Sequence, residues 1–427
     1  MKFCANTFAS ETACFRAVTG NSFHSMHGNH CILWPRSHPL ARAVWAAFCL
    51  AISVASVRSE RARDWGIPLA GVPGPENSIT DVSGILVGSV TLKEGSGPLE
   101  VGVGPVRTGV TAVLPTGRVF RPVFAAIQTL NGNGEITGAH WIDESGQLEE
   151  PIVLTNTHSV GAAHEGVIRW RREAAYHPKD AGLGWASLPV VAETWDGLLN
   201  DIHGLHVRPE HVIEALNSAK AGPVEEGSVG GGTGMVCHRF KGGIGTASRL
   251  VDGGYSVGAL VQANYGRRED FLIAGVPAGP ALVDQMPDIR SLEAAYEGGS
   301  IVAVVATDAP LLPHQLRRVA RRAMLGVHRT GGIGKNSSGD FFLAFSTALI
   351  GPVDPVSGES ATRMLPNDAI DPIFRGTVQA VEEAILNAMV SAETMTGING
   401  NTVYALPRES VRSLLRQHNR LFESNSP

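Results

Sequence analysis

From Ile79 onward the chain alternates short, β-branched apolar runs with glycine-rich breaks. ITDVSGILVGSVTL and GVTAVLPTG each predict a strand, since brief apolar runs bounded by turn residues suit a strand better than a helix. PIVLTNTHSVG (151–161) and SLPVVAETWDG (187–197) predict buried strands that end in polar residues. The strand pattern resumes in GGIGTASRLVDGGYSVGALVQANYG, and YEGGSIVAVVATDAP (296–310) reads as a turn feeding a strand from Ile301 to Val305. The period changes in three places. RPEHVIEALNSAKAG (208–222) predicts a helix with Pro209 in its first turn, Val212, Ile213 and Leu216 on one face and Gly222 past its end. A second helix, from near Pro313 and through QLRRVARRAMLG, sets Leu316, Val319, Ala320 and Ala323 against Arg317, Arg318, Arg321 and Arg322. That arginine run reads as a solvated face. A third covers GTVQAVEEAILNAMVSAETM, with Val378, Val381, Ala384, Ile385, Ala388 and Met389 at helical spacing. Strands and helices mix over residues 65–427 without strict βαβ alternation, repeat or linker, so the fold class is α/β or α+β with a layered core.

Composition narrows this. A chain of 427 residues, 43% hydrophobic, can bury one large core, and a net charge of −5 argues against a nucleic-acid-binding surface. The first 60 residues stand apart. AVWAAFCLAISVAS (43–56) is an apolar run of signal-peptide length, preceded by Arg36 and Arg42, with Val54-Ala55-Ser56 as a passable cleavage site and Met26 as an alternative start. Either it is a secretory leader, making the protein periplasmic or secreted, or an upstream extension of a cytoplasmic one. Cys4, Cys14, Cys31 and Cys49 lie in this segment and leave Cys237 alone in the body, too few for a disulfide framework. No later apolar run approaches the roughly 20 residues of a membrane helix.

The candidate chemistry lies where apolar strands meet polar residues. GSVGGGTGM (227–235) lacks the Lys-Ser/Thr of a phosphate loop and reads as a tight turn or a backbone approaching a ligand. His158, His203, His238, His314 and His328 are scattered without metal-ligand spacing, and no GxSxG elbow is present. There remain Glu193 and Asp196 in AETWDG, Asn264 in VQANYG, and Asn336, Ser337, Ser338 and Asp340 in GKNSSGD, each of which alone could be a turn or cap residue. Ser300 differs in preceding its strand. If the Gly299–Ser300 bond were cut, Ser300 would carry a free α-amine, whose reference pKa of about 7.7–8.0 suits a general base beside its own hydroxyl. Gly-Ser before a strand is also an ordinary turn, and residue chemistry alone leaves both readings open.

Seven motifs in fixed order weigh on that choice: NGNGE (131–135), LTNTHSVG (154–161), VVAETWDG (190–197), EEGSVGGGTGM (225–235), VQANYG (261–266), GGSIVAVVATDAPLLPHQL (298–316) and NSSGD (336–340). From about residue 66 to about 420 the chain closely resembles the L-aminopeptidase/D-Ala-esterase/amidase family and its relatives, the β-peptidyl aminopeptidases. The resemblance implies a four-layer αββα sandwich like that of N-terminal nucleophile hydrolases, with its own connectivity. It implies a single catalytic domain, 61–427, made as a precursor and self-cleaved into an α chain, 61–299, and a β chain, 300–427. Ser300 then maps to the nucleophile, Gly299–Ser300 to the cut, and Asn264 to the oxyanion donor. Ser338 and Asp340 map to a pair that orients or relays protons, although some relatives carry glutamate at the position of Asp340. Glu193 maps to the acid that holds the substrate's ammonium. Trp195 departs from the tyrosine of some relatives; an indole can donate but carries no phenolic proton, which leaves Trp195 to shape the pocket.

The activity so implied is a serine aminopeptidase acting on short peptides, amides or esters with a free N-terminus. No metal or organic cofactor, nucleic acid or membrane is implied. Several αβ units, four in number, are expected to assemble. An acyl transferase like the ornithine acetyltransferases is the alternative, against which Ser300 counts because those enzymes use threonine at the cut. A processed but silent scaffold is a third reading with no feature in its favour.

Overall fold

The structure, a computed structural model, describes residues 59–119, 121–173, 188–290, 299–351 and 355–422. Residues Arg58–Pro427 form one compact unit. The expected leader, its four cysteines and Gly298 lie outside the described residues, apart from Ser59 and Glu60. Among the described residues no helix is long and apolar enough to cross a membrane.

Two sheets carry the fold. The first orders β1 (Leu86–Glu94), β2 (Val106–Leu114), β5 (Ile152–Asn156) and β6 (Val190–Thr194), with only the last pair parallel. The second runs β4 (Gln147–Leu148), β3 (Val123–Gly132), β10 (Gly339–Ser346), β9 (Ser300–Thr307), β8 (Tyr255–Asn264) and β7 (Gly243–Val251). At its centre β9 pairs parallel with β10 and antiparallel with β8.

The two faces of β9 explain its apolar run. Val302, Val304 and Ala306 join Ile152, Leu154, Val190 and Ala192 of the other sheet in one core. Ile301, Ala303 and Val305 join a second core with Val319, Ala323, Ile385 and Met389. These last come from α3 (Pro313–Arg329) and α4 (Asp371–Val390), which cover the six-stranded sheet. On the far side α1 (Val160–Glu173) and α2 (Pro209–Ser218) cover the four-stranded sheet through Ala163, Val167, Val212 and Leu216. Helices, sheet, sheet, helices: the chain is the αββα sandwich expected. A strand buried on both faces cannot alternate, so it reads as continuous apolar sequence. Truncating a fully buried ring such as Phe342 in β10 should cost about 3–5 kcal/mol.

Element ends shift where side chains intervene. α2 stops at Ser218 rather than near Gly222, because Lys220 leaves to bridge Val87 and Arg118 takes the carbonyls of Leu216, Asn217 and Ala219. α4 starts five residues early because Pro372 supplies a first turn, and it ends at Val390. The arginines of α3 find local partners, Arg317 with Asp143 and Arg322 over the Phe374 ring, as a solvated face does.

Candidate active site

Both sheets end in polar residues on the same side of the sandwich. Register sets the group. Ser300 is the first residue of β9, opposite Asn264 of β8 on one side and Gly339 of β10 on the other. Even-numbered residues of β9 face the other sheet, so Ser300 shares a direction with Val302 and Val304. Its Oγ accepts the Gly339 N–H at 3.2 Å and, among the described residues, donates to no partner. Gly299 is required by space: a Cβ there would lie 2.9 Å from the Asn264 carbonyl oxygen and from Tyr265 Cα.

Asn264 is held at both ends of its carboxamide. Val236 N–H donates to Oδ1 at 2.7 Å, and Nδ2 donates to the Trp195 carbonyl at 2.8 Å. These contacts fix the amide's orientation and leave one Nδ2 proton. The Ser338 hydroxyl donates to Asp340 Oδ2 at 2.5 Å. Burial pushes the Asp340 carboxyl up to about 6, against hydrogen bonds from the Ser338 hydroxyl and the Ile301 backbone. A cavity of about 20 Å³ touches Gly299, Ser338 and Asp340, room for one water.

Glu193, at the end of β6, is buried. Its Oε1 accepts the Glu135 N–H at 3.0 Å, and its Oε2 accepts the Thr157 hydroxyl. Burial raises its pKa, and the Thr157 and Glu135 hydrogen bonds pull it back. Gly134 joins this acid to the serine: a Cβ there would stand 2.9 Å from Glu193 Oε1 and 3.3 Å from Gly339 Cα. Ser300, Asn264, Ser338, Asp340, Glu193 and the backbone of Trp195 therefore gather at one place, while the Trp195 ring lies against Gly197.

Other candidates go elsewhere. Asp196 is fully buried, with Asn200 Nδ2 donating to its Oδ1 at 3.0 Å, and burial raises its carboxyl to about 7; it braces its loop. Asn336 and Ser337 contribute carbonyls, taken by the Asn131 and Asn133 side chains. His158 and His203 face each other with ring centroids 4.9 Å apart, both exposed. Among the described residues no three His, Cys, Asp or Glu side chains gather as metal ligands.

Asn131, Asn133 and Thr157 also support the group. The first two hold the 336–338 loop by its carbonyls, and Thr157 orients Glu193. The signal was present in NGNGE and LTNTHSVG, as carboxamide and hydroxyl groups directly after strands.

Known proteins share this arrangement's sequence. The family model of peptidase family S58 matches residues 77–403. The β-peptidyl aminopeptidase BapA of Sphingosinicella microcystinivorans is 48% identical over 393 residues, 89% of this chain and 97% of that protein. Its namesake from Sphingosinicella xenopeptidilytica is 44% identical over 399 residues, 90% of this chain and 97% of that protein. Among solved structures, the L-aminopeptidase D-Ala-esterase/amidase of Ochrobactrum anthropi superposes with a TM-score of 0.77 at 45% identity, over 84% of this chain and 99% of its own. That protein is described as a prototype for the serine aminopeptidases and a variant of the N-terminal nucleophile hydrolase fold.

Proposed function

This chain belongs to peptidase family S58 and is a serine aminopeptidase, and on that premise we propose that Ser300, freed by self-cleavage, is its nucleophile. The observation that carries the reading is the register, which puts Asn264 and Gly339 on either side of a buried Ser300 whose hydroxyl donates to no described partner.

In the precursor, Ser300 Oγ attacks the Gly299 carbonyl carbon and the C–N bond breaks toward the Ser300 nitrogen, leaving an ester. Water hydrolyses that ester to a Gly299 carboxylate and a free Ser300 α-amine. In the mature enzyme this amine takes the Oγ proton as Oγ attacks the first carbonyl of a substrate. The oxyanion meets the free Nδ2 proton of Asn264 and the Gly339 N–H now on Oγ's flank; one such donor is worth about 10²–10³ in rate. The amine returns its proton to the departing nitrogen, and water releases the acyl group. Glu193 holds the substrate's ammonium with the lone pairs that Thr157 and Glu135 leave open, which restricts release to N-terminal residues.

The substrates proposed are short peptides, amino-acid amides or esters with a free amine. The mature form proposed is an assembly of four αβ units. Aminoacyl p-nitroanilides test the reading: the wild type should release nitroaniline, and Ser300→Ala should release none. Equal turnover by both would refute it.

A further inference from the structure

The reaction above leaves the buried amine of Lys241 unused. Lys241 is fully buried, and its Nζ donates to the carbonyls of Met235 at 2.8 Å, Gly242 at 2.9 Å and Gly232 at 3.4 Å. A tight hairpin delivers it there. Val236–Cys237 pairs with Phe240–Lys241, and the two turn residues, His238 and Arg239, have φ of 48° and 60°, as a two-residue hairpin turn demands. The lysine stem thus folds back beneath the GGGTGM loop.

Burying an ammonium costs several kcal/mol unless its surroundings compensate. Three acceptors match the three protons of the charged form. Burial and Lys93 lower its pKa, while Asp196 and Cys237 pull it back up. Chain folding does not need this donor at Met235, because the same carbonyl already accepts the Gly242 N–H at 2.9 Å. An apolar side chain of similar length would fill the space without the desolvation.

What distinguishes the Met235 carbonyl is its peptide. The amide bond from Met235 to Val236 presents its oxygen to Lys241 and its N–H, at 2.7 Å, to Asn264 Oδ1. The carboxamide of Asn264 in turn donates through Nδ2. Lys241, the 235–236 peptide and Asn264 therefore form one chain of aligned donors and acceptors. Each hydrogen bond in such a chain strengthens the next, by roughly 10–30%. We propose that Lys241 is a positioning residue that acts through the Met235–Val236 peptide, locking the Asn264 carboxamide and sharpening its Nδ2 proton as oxyanion donor. The inference rests on the role given to Asn264 above.

A double-mutant cycle tests it, on the full chain with aminoacyl p-nitroanilide. Where a variant does not mature, the rate of precursor conversion replaces kcat. Lys241→Met should lower kcat roughly 10-fold, a fraction of what the whole donor is worth, with KM within about 2-fold. In an Asn264→Ala background the same change should add less than about 2-fold. Lys241→Gln, which keeps a donor for Met235, should recover most of the loss, and decides the matter if Lys241→Met melts below the assay temperature. Equal losses in both backgrounds would show a merely structural lysine, and no loss in the wild-type background would also overturn the proposal. If Asn264→Ala alone leaves kcat unchanged, the reading of Asn264 fails instead.

Discussion

Strand β9 meets water-seeking groups at both ends, and the two ends are built differently. At the Thr307 end the hydroxyls of Thr307 and Ser346 are both closed. Thr307 donates to the Ser256 carbonyl at 2.8 Å and accepts the Ala309 N–H at 3.1 Å. Ser346, beside it in β10, donates to the Ala309 carbonyl at 2.6 Å and accepts the Ala348 N–H at 3.2 Å. At the other end Ser300 is also buried and paired with the same two strands, yet it accepts one hydrogen bond and among the described residues gives none. Asn264 likewise spends one Nδ2 proton on the Trp195 carbonyl and holds the other back. Buried polar groups are nearly always satisfied, so each exception invites an explanation. Both ends are buried, so burial alone does not explain the difference. Unspent hydrogen-bonding capacity does: one end closes the sheet, and the other keeps open the groups to which the proposed chemistry is assigned.

The contrast can be tested from the reactive end down. Ser300→Ala should lower turnover by about 10⁴-fold or more, measured with aminoacyl p-nitroanilides, while the melting temperature stays near the wild type's. Asn264→Ala should cost about 10²–10³ in kcat. Glu193→Gln should raise KM for substrates with a free amine roughly 10- to 100-fold, the worth of a charge-assisted hydrogen bond, and leave poor N-acetylated substrates unchanged. Asp340→Asn is expected to act through pH. The folded carboxyl titrates at about 6 and the unfolded one at 3.8, so between those values the folded chain keeps a proton that the unfolded chain has lost. Stability therefore falls as pH rises through that window, and the full cost is present above about 6. In kcat/KM the ionised carboxylate, acceptor for Ser338, is the working form, so the acid limb of the logarithmic profile should lose one unit of slope below about pH 6 in Asp340→Asn. The smallest effect belongs to the closed end. Thr307→Val should cost about 1–3 kcal/mol in denaturant unfolding, through the unpaired Ala309 N–H, and leave kcat and KM untouched. A kinetic defect in Thr307→Val would erase the distinction between the ends.

How much of this could be read from sequence depended on whether a residue's role was local. β5, β6, β8 and β9 are apolar runs between turn residues, and α3 and α4 carry their stripes at helical spacing, so both showed plainly. α1 did not: its inward face, Ala163, Val167 and Trp170, is interrupted by Arg171, a buried arginine paired with Glu150. The strands Val123–Gly132 and Gly339–Ser346 were legible only as the motifs at their ends. Asn264, Glu193, Ser338 and Asp340 showed as polar residues at the ends of apolar runs, but their roles entered through resemblance, since a polar residue after a strand is an ordinary cap until register shows what lies opposite. Lys241 was invisible, because nothing in the period or charge pattern of FKGGIG marks a lysine that folds inward beneath a loop six to nine residues upstream. Pairings across sheets and through carbonyls belong to the assembled fold.

The central claim is that Ser300 works as an N-terminus, and the mass of the purified wild-type chain under denaturing conditions tests it most directly. The account predicts two polypeptides, one ending at Gly299 and one beginning at Ser300, with Ser300→Ala remaining a single chain. A single intact polypeptide that turns over substrate would contradict it.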